Sequence, residues 1–168
     1  IKSKPSLKKK KIISEIEFAS RYTNAFIIAV TGTNGKTTTS KLIYHILKNS
    51  GFNVGLAGNI GYSFSESIVE NQFDYYVLEV SSFQLDHIIN FRPDISIITN
   101  ISPDHLDRYD NKLESYAEAK FNIIRNQKSS DFFIYNGDCA ITTNKITSKR
   151  PPGKYKNLWN HSIPRKKN

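Results

Sequence analysis

Between residues 26 and 135, short apolar runs alternate with longer stretches in which apolar residues recur at helical spacing. The short runs are rich in β-branched and aromatic residues, which is typical of strands buried in a parallel sheet. We predict five strands, at residues 26–31, 52–57, 74–80, 94–99 and 131–135.

The longer stretches predict three helices, at residues 37–50, 63–69 and 111–127. Ser63 suits the N-cap of the second helix, and Gly51 suits the stop after the first. Strands that alternate with helices predict an α/β fold: a three-layer, doubly wound and mostly parallel sheet with right-handed crossovers. The apolar face predicted for the first helix consists of Leu42, Ile43, Ile46 and Leu47.

The net charge of +9 lies in the two ends of the chain. Residues 1–11 and 145–168 carry 14 of the 24 basic groups and no acid, which leaves ten basic groups against fifteen acids in between. Clustered charges of one sign at chain ends are usually solvated. These ends also lack the interleaved aromatics of a single-strand binding surface, so we do not expect nucleic-acid binding. A nucleotide-binding module whose basic ends engage nucleic acid stays open as an alternative.

A single cysteine, Cys139, excludes an intrachain disulfide framework and a cysteine-based zinc site. Wholly apolar runs reach only about five residues, and no signal-type apolar stretch follows the basic start, so we expect no membrane span. These features together predict a cytoplasmic protein. The chain opens with Ile1 and contains no methionine, so we interpret it as an excerpt of a longer protein.

A glycine-rich turn, Thr-Gly-Thr-Asn-Gly-Lys-Thr at residues 31–37, joins the first predicted strand to the first predicted helix. Backbone N–H groups at such a turn and helix start favour an anion, Lys36 supplies positive charge, and the Thr37 hydroxyl can bind Mg²⁺. The pattern G-x-x-x-x-G-K-[ST] fails only at its first glycine, where this chain has Val30. An ordinary glycine-rich turn is the alternative. The predicted phosphate-binding residues are Gly32, Thr33, Asn34, Gly35, Lys36, Thr37 and Thr38.

Two more polar groups follow predicted central strands. Glu79 ends an otherwise apolar strand, where a buried carboxylate is costly unless it meets a cation. The loop at residues 100–109 follows the next strand and contains His105 between two aspartates. Because ligands gather at the carboxyl ends of parallel strands, we expect Glu79 and His105 to meet the glycine-rich turn and to hold Mg²⁺.

Lys120 lies on the inward face of the third predicted helix. It follows Leu113 by seven positions and Tyr116 by four, and it precedes Ile124 by four, so it falls among the apolar residues of that face. A lysine there either extends to the edge of the core or serves a site, and the periodicity alone leaves both readings open.

Several of these motifs, in this order, resemble the Mur ligase and folylpolyglutamate synthase superfamily. Residues 32–38, with a non-glycine at position 30, are similar to its ATP loop. Residues 79–85, Glu-Val-Ser-Ser-Phe-Gln-Leu, resemble the branch of the Mur ligases that adds D-glutamate. The branches that add a diamino acid or lysine have His-Ala at Phe83-Gln84, and folylpolyglutamate synthases have a glycine-rich segment there. The resemblance spans about residues 12–138, and further matches lie at 13–19, 58–61 and 100–109.

The resemblance implies an enzyme that uses ATP and Mg²⁺ to form an amide bond in peptidoglycan synthesis. The carboxylate of UDP-N-acetylmuramoyl-L-alanine would be phosphorylated, and the amine of D-glutamate would attack the acyl phosphate. Another Mur ligase or a folylpolyglutamate synthase-type ligase is the alternative. The resemblance implies that Lys36, His105 and Lys120 are catalytic, that Thr37, Glu79, His105 and carbamylated Lys120 hold Mg²⁺, and that Asn59, Ser81 and His105 contact the muramoyl substrate.

We divide the chain into a basic segment and inter-domain linker at residues 1–25, a central ATP-binding domain at 26–139, and a basic tail or truncated remainder at 140–168. Family members also have an N-terminal domain for the UDP moiety and a C-terminal domain that brings the amino acid. Where the family usually shows paired acids after the last strand, this chain has Asp138-Cys139. We therefore expect a truncated central domain that is inactive alone, and a monomer when full length.

Overall fold

The computed structural model describes residues 12–104, 106–149 and 153–157. Short 3-10 turns lie at Ser20–Tyr22, Leu106–Tyr109 and Asn122–Ile124. The helices are α1 (Glu15–Ala19), α2 (Lys36–Asn49), α3 (Phe64–Glu70), α4 (Ser82–Asp86), α5 (Leu113–Phe121) and α6 (Ala140–Lys149). The strands are β1 (Phe26–Thr31), β2 (Val54–Gly58), β3 (Tyr75–Glu79), β4 (Ile95–Ile98), β5 (Phe132–Tyr135) and β6 (Lys154–Asn157).

The six strands form one parallel sheet in the order β2-β3-β1-β4-β5-β6. The predicted α/β fold with a parallel, doubly wound sheet is therefore confirmed. Val30, near the end of β1, is opposite Glu79 in β3 and Ile97 in β4. The carboxyl ends of these three strands consequently lie side by side. The chain leaves β1 for α2 on one face of the sheet and leaves β4 for α5 on the other face.

The two faces of the sheet are covered unequally. Side chains of α2 pack on one face, against a small cluster that includes Ile28, Val30 and Val77. The larger cluster covers the other face and draws residues from α1, α3, α4, α5 and α6. None of the helices formed by the described residues is long and apolar enough to cross a membrane.

The predicted apolar face of α2 is partly wrong. Leu42 and Ile46 are 56% and 54% exposed, whereas Ile43 and Leu47 pack against the sheet as predicted. The inward stripe is Ser40, Ile43, Tyr44 and Leu47, which have the i, i+3, i+4, i+7 spacing of one helical face. At about 100° per residue, Leu42 and Ile46 lie roughly 150° and 110° around the helix from the middle of that stripe, so their side chains reach solvent.

Residues 140–157, to which the sequence assigned no element, form α6 and the edge strand β6. Ile146 of α6 is buried in the larger core cluster. Lys145 was expected to be solvated with the rest of the basic tail, but it is buried and forms ion pairs with Glu114 and Glu118 of α5. Two acids on the neighbouring helix account for the difference, because a paired ammonium group can be buried.

The segment before β1 is fixed by a buried acid that the sequence did not single out. Glu17 is fully buried, and its Oε2 accepts hydrogen bonds from the backbone N–H groups of residues 89–91 at 2.7–2.9 Å. Its Oε1 pairs with Arg21 at 2.9 Å. Burial raises the pKa of Glu17, but these hydrogen bonds outweigh burial and hold the pKa below its ordinary value.

Candidate nucleotide and metal site

The turn between β1 and α2, together with the uncapped N-terminus of α2, forms an open cradle. A Cβ at Gly32 would lie 1.9 Å from Thr99 Oγ1, so only glycine fits there. Gly35 is the N-cap of α2, with φ +78° and no side chain that caps the helix. No other part of the described chain lies within 4 Å of the Cβ position at Gly35. The first N–H groups of α2 therefore lack a side-chain cap, and the space beside Gly35 is open, as an anion site requires.

The loop that follows β4 holds this turn in place. Asn100 accepts from the Thr33 N–H through its carbonyl oxygen at 2.9 Å and from the Asn34 N–H through Oδ1 at 3.0 Å. The carbonyl oxygen of Asn34 accepts from Asn100 Nδ2 and Thr99 Oγ1, and Thr33 Oγ1 donates to Ser102 O. Sequence reasoning missed Thr99 and Asn100 as supports of the loop. Their position at the end of β4, beside the turn, was the available signal.

Two lysines converge on this turn. Lys36 Nζ donates to the carbonyl oxygens of Gly32 and Thr33 at 3.0 and 2.9 Å, and Lys120 Nζ donates to that of Gly32 at 2.9 Å. Lys120 is 2% exposed, which confirms its predicted place on the inward face of α5. The pKa of Lys120 is lowered to about 7, first by burial and then by the charge of Lys36, while Asp104 opposes the shift.

Glu79 lies beside the turn with both carboxylate oxygens hydrogen-bonded. Thr37 Oγ1 donates to Oε2 at 2.7 Å, and Asn59 Nδ2 donates to Oε1 at 3.1 Å. Glu79 is 3% exposed, and no lysine, arginine or histidine among the described residues forms an ion pair with it. Both of these hydrogen-bond donors are neutral groups, so the carboxylate oxygens can still accept a cation as a further partner.

A cavity of about 170 Å³ is lined by four of the predicted site residues, Lys36, Asn59, Ser81 and Lys120. Ser81 is the N-cap of α4, and its hydroxyl and N–H form a capping box with Gln84. Glu79 adjoins the cavity through its hydrogen bond from Asn59, and Thr37 is hydrogen-bonded to Glu79 in turn. Thr38 lies in the first turn of α2. His105 lies outside the described residues. The residues around the cavity include Lys36, Asn59, Ser81, Phe83, Tyr116 and Lys120.

These donors fit Mg²⁺ held jointly with phosphate. The described residues contain no group of three or more His, Cys, Asp or Glu side chains able to hold a metal. Mg²⁺ does not need such a cage, because it usually takes one or two protein oxygens together with phosphate oxygens and water. The Thr37 hydroxyl and the Glu79 carboxylate are oxygen donors of a kind able to take part in such a site, and they lie next to the cradle.

Curated relatives of this chain are named as D-glutamate ligases. UDP-N-acetylmuramoylalanine–D-glutamate ligase of Bacteroides fragilis is 58% identical over 135 residues, which are 80% of this chain and 30% of that protein. The Porphyromonas gingivalis ligase of the same name is 55% identical over 141 residues, 84% of this chain and 31% of that protein. The chain thus spans about a third of the length of the curated relatives it matches.

Solved structures share the fold at low sequence identity. MurF ligase from Thermotoga maritima in complex with ADP has a TM-score of 0.65 at 22% identity, covering 84% of this chain and 35% of that one. E. coli FolC in complex with DHPP and ADP has a TM-score of 0.60 at 20% identity, covering 91% and 49%. The Mur ligase middle domain family matches residues 30–163. The chain therefore belongs to the Mur ligase family, through its middle domain.

Proposed function

We propose that this chain binds ATP with Mg²⁺ as part of a ligase that adds D-glutamate to UDP-N-acetylmuramoyl-L-alanine. The observation that carries the proposal is the convergence of Lys36, Lys120 and the Thr37–Glu79 pair on one open helix N-terminus. The names of the Bacteroides and Porphyromonas relatives, at 58% and 55% identity, support the choice of substrates.

The phosphates would rest against the first N–H groups of α2. Lys36 is folded over its own loop, and its ammonium group would turn from the Gly32 and Thr33 carbonyl oxygens to the transferring phosphate. Thr37 and Glu79 would hold Mg²⁺, which offsets the charge of the phosphate oxygens when it is bound. His105 belongs to the proposed set by its place in the motif after β4.

The reaction would proceed in two steps, phosphorylation of the acid substrate and then formation of the amide. A carboxylate oxygen of the acid substrate attacks the γ-phosphorus, the bond to the β-phosphate oxygen breaks, and ADP leaves. The amine of D-glutamate then attacks the acyl carbon, loses a proton, and expels phosphate. Asn59 and Ser81 line the cavity beside Lys36, where the acid substrate would have to lie for the first step.

Lys120 is chemically suited to carbamylation. With a pKa of about 7, a large fraction of its amine is uncharged near neutral pH and able to attack CO₂. The nitrogen forms a bond to the carbon of CO₂ and loses a proton, so a cation is replaced by an anion. The product would give Lys36 a neighbouring negative charge in place of the ammonium group that now shares its acceptor, Gly32 O.

Nucleotide titration of the chain tests the proposal. Isothermal titration calorimetry should detect ATP binding in the presence of Mg²⁺, and Lys36→Ala should weaken that binding at least tenfold through the loss of a charged phosphate contact. Lys41 is an exposed lysine on the same helix, so Lys41→Ala is the matched control. Its affinity for ATP should equal that of the parent. Equal affinities for the parent and Lys36→Ala would contradict the assignment.

The identity of the acid and amine substrates needs a separate experiment. Phe83 lines the cavity, and Gln84 forms the capping box of α4 with Ser81, which also lines it. These are the two residues by which the resemblance selects the D-glutamate branch. A substrate panel on the complete ligase should show amide formation with D-glutamate and UDP-N-acetylmuramoyl-L-alanine. A preference for a diamino acid or a folate would instead show that the enzyme is another Mur ligase or a folylpolyglutamate synthase-type ligase.

A further inference from the structure

Asn59, which is predicted to contact the substrate, forms two hydrogen bonds with Glu79. Its side-chain Nδ2 donates to Glu79 Oε1 at 3.1 Å, and its backbone N–H donates to the Glu79 carbonyl oxygen at 2.8 Å. Asn59 itself is exposed, whereas Glu79 is buried. An exposed side chain that lines the cavity is thus hydrogen-bonded to a buried carboxylate.

The backbone around Asn59 is held at a fixed distance from β3. Gly58 is paired with Glu79 across the sheet, and a Cβ at Gly58 would lie 2.3 Å from the Glu79 carbonyl oxygen. Gly58 also has φ +103°, a conformation that favours glycine. This close approach places the Asn59 amide where it meets the carboxylate without a long, flexible side chain in between.

Thr37 and Asn59 each donate a hydrogen bond to a different carboxylate oxygen of Glu79. Oε2 accepts from the Thr37 hydroxyl, and Oε1 accepts from the Asn59 amide. A hydroxyl that gives its proton to Oε2 keeps its lone pairs available for a cation. Rotation of the carboxylate would break this arrangement, and the Asn59 hydrogen bond opposes that rotation.

We propose that Asn59 is a positioning residue that fixes the Glu79 carboxylate against Thr37, so that the pair is arranged to bind Mg²⁺ together with a nucleotide. The inference rests on the proposed function, because it assumes that a magnesium nucleotide binds at the cradle. It differs from a purely substrate-contacting role, which would leave nucleotide binding unchanged. Groups that orient metal ligands commonly change metal affinity about 10–100-fold when they are removed.

The test compares the affinity of the chain for a non-hydrolysable ATP analogue, the β,γ-imido triphosphate, with excess Mg²⁺ and with EDTA. The ratio of the two dissociation constants measures how much the metal strengthens binding. In Asn59→Ala this ratio should fall about tenfold, while the affinity in EDTA stays within about twofold of the parent. Asn59→Leu, which has nearly the same shape but no amide, should behave in the same way.

Asn53→Ala is the matched control. Asn53 Nδ2 also donates to a carboxylate, that of Asp74, but at the opposite end of the same two strands. Its Mg²⁺ ratio should equal that of the parent. Thermal unfolding of each variant verifies that the fold is retained.

Two results would overturn the inference while leaving the proposed function in place: an unchanged Mg²⁺ ratio in both Asn59 variants, or an equal loss of affinity with and without metal. The second would mean that Asn59 supports the fold of the site rather than its metal ligand. A parent chain whose nucleotide binding ignores Mg²⁺ would refute the proposed function itself, and the role of Asn59 with it.

Discussion

Lys36 and Lys120 donate to the same acceptor, the carbonyl oxygen of Gly32, at 3.0 and 2.9 Å. Two ammonium groups that share one oxygen repel each other, and the buried partner responds most because it is least screened by water. The positive charge of Lys36 is accordingly the second cause, after burial, of the lowered pKa of Lys120. The protonation of the deeper lysine is thus coupled to the presence of the outer one.

This coupling predicts that Lys36→Met raises the pKa of Lys120 above its present value of about 7. Removal of the nearby cation favours the charged form, so the shift must be upward. Competitive acetylation across a pH series, read at Lys120 by mass spectrometry, measures the midpoint in each protein. Lys41→Met removes an exposed lysine from the same helix and should leave the midpoint unchanged. A downward shift in Lys36→Met would contradict the coupling.

Gly32→Ala should abolish tight nucleotide binding while the protein stays folded. The added methyl group would meet Thr99 Oγ1 at 1.9 Å and the Asn100 N at 3.2 Å, so the turn or the end of β4 must move. We expect at least a tenfold loss of ATP affinity by calorimetry, since the proposed phosphate contacts would depend on the backbone of this turn.

Gly51→Ala is the control for backbone strain in that experiment. Gly51 also has a positive φ, +84°, but a Cβ there meets nothing within 4 Å among the described residues, and the position lies at the far end of α2. Gly51→Ala should lower stability slightly and leave ATP affinity intact. A similar loss of affinity in both variants would show that general strain, not the clash with Thr99, is responsible.

Glu17→Gln should lower the free energy of unfolding by about 2 kcal/mol at pH 7, because a buried charged acceptor of several hydrogen bonds is lost. The pKa of Glu17 is held below its ordinary value of 4.5, so the carboxylate stabilises the fold above pH 4.5. That contribution disappears as the pH falls through the lowered pKa. Urea unfolding should therefore show a difference between parent and variant that shrinks in acid.

Glu70→Gln provides the comparison, since Glu70 is an exposed carboxylate at the end of α3. Its unfolding free energy should match the parent within about 0.5 kcal/mol at neutral pH. If Glu17→Gln matched it as well, the hydrogen bonds from residues 89–91 would not be what fixes the segment before β1.

The strands and the phosphate loop were predictable because their signals are local. An apolar run flanked by turn residues identifies β1, β3 and β4, and the glycines and lysine of the turn identify a candidate anion site without any tertiary knowledge. The burial of Lys120 was also predictable, since helical spacing alone places it among inward residues.

The features that were not predicted depend on contacts between residues far apart in the sequence. Glu17 is an ordinary helix acid until residues 89–91 donate to it, and Lys145 is an ordinary tail lysine until two acids of α5 reach it. The edge strand β6 carries exposed polar residues, so it lacks the apolar alternation by which strands are recognised. Only the folded chain brings these partners together.

The hydrogen bonds from the β4 loop to Thr33 and Asn34 also bear on the thermodynamics of ligand capture. A cradle whose backbone is already immobilised has little conformational entropy left to lose when an anion arrives. The hydrogen bonds to the end of β4 fix the backbone conformation of the turn, so a nucleotide would bind here without a rearrangement of the backbone. Any adaptation during the catalytic cycle would then fall to the side chains and to the rest of the ligase.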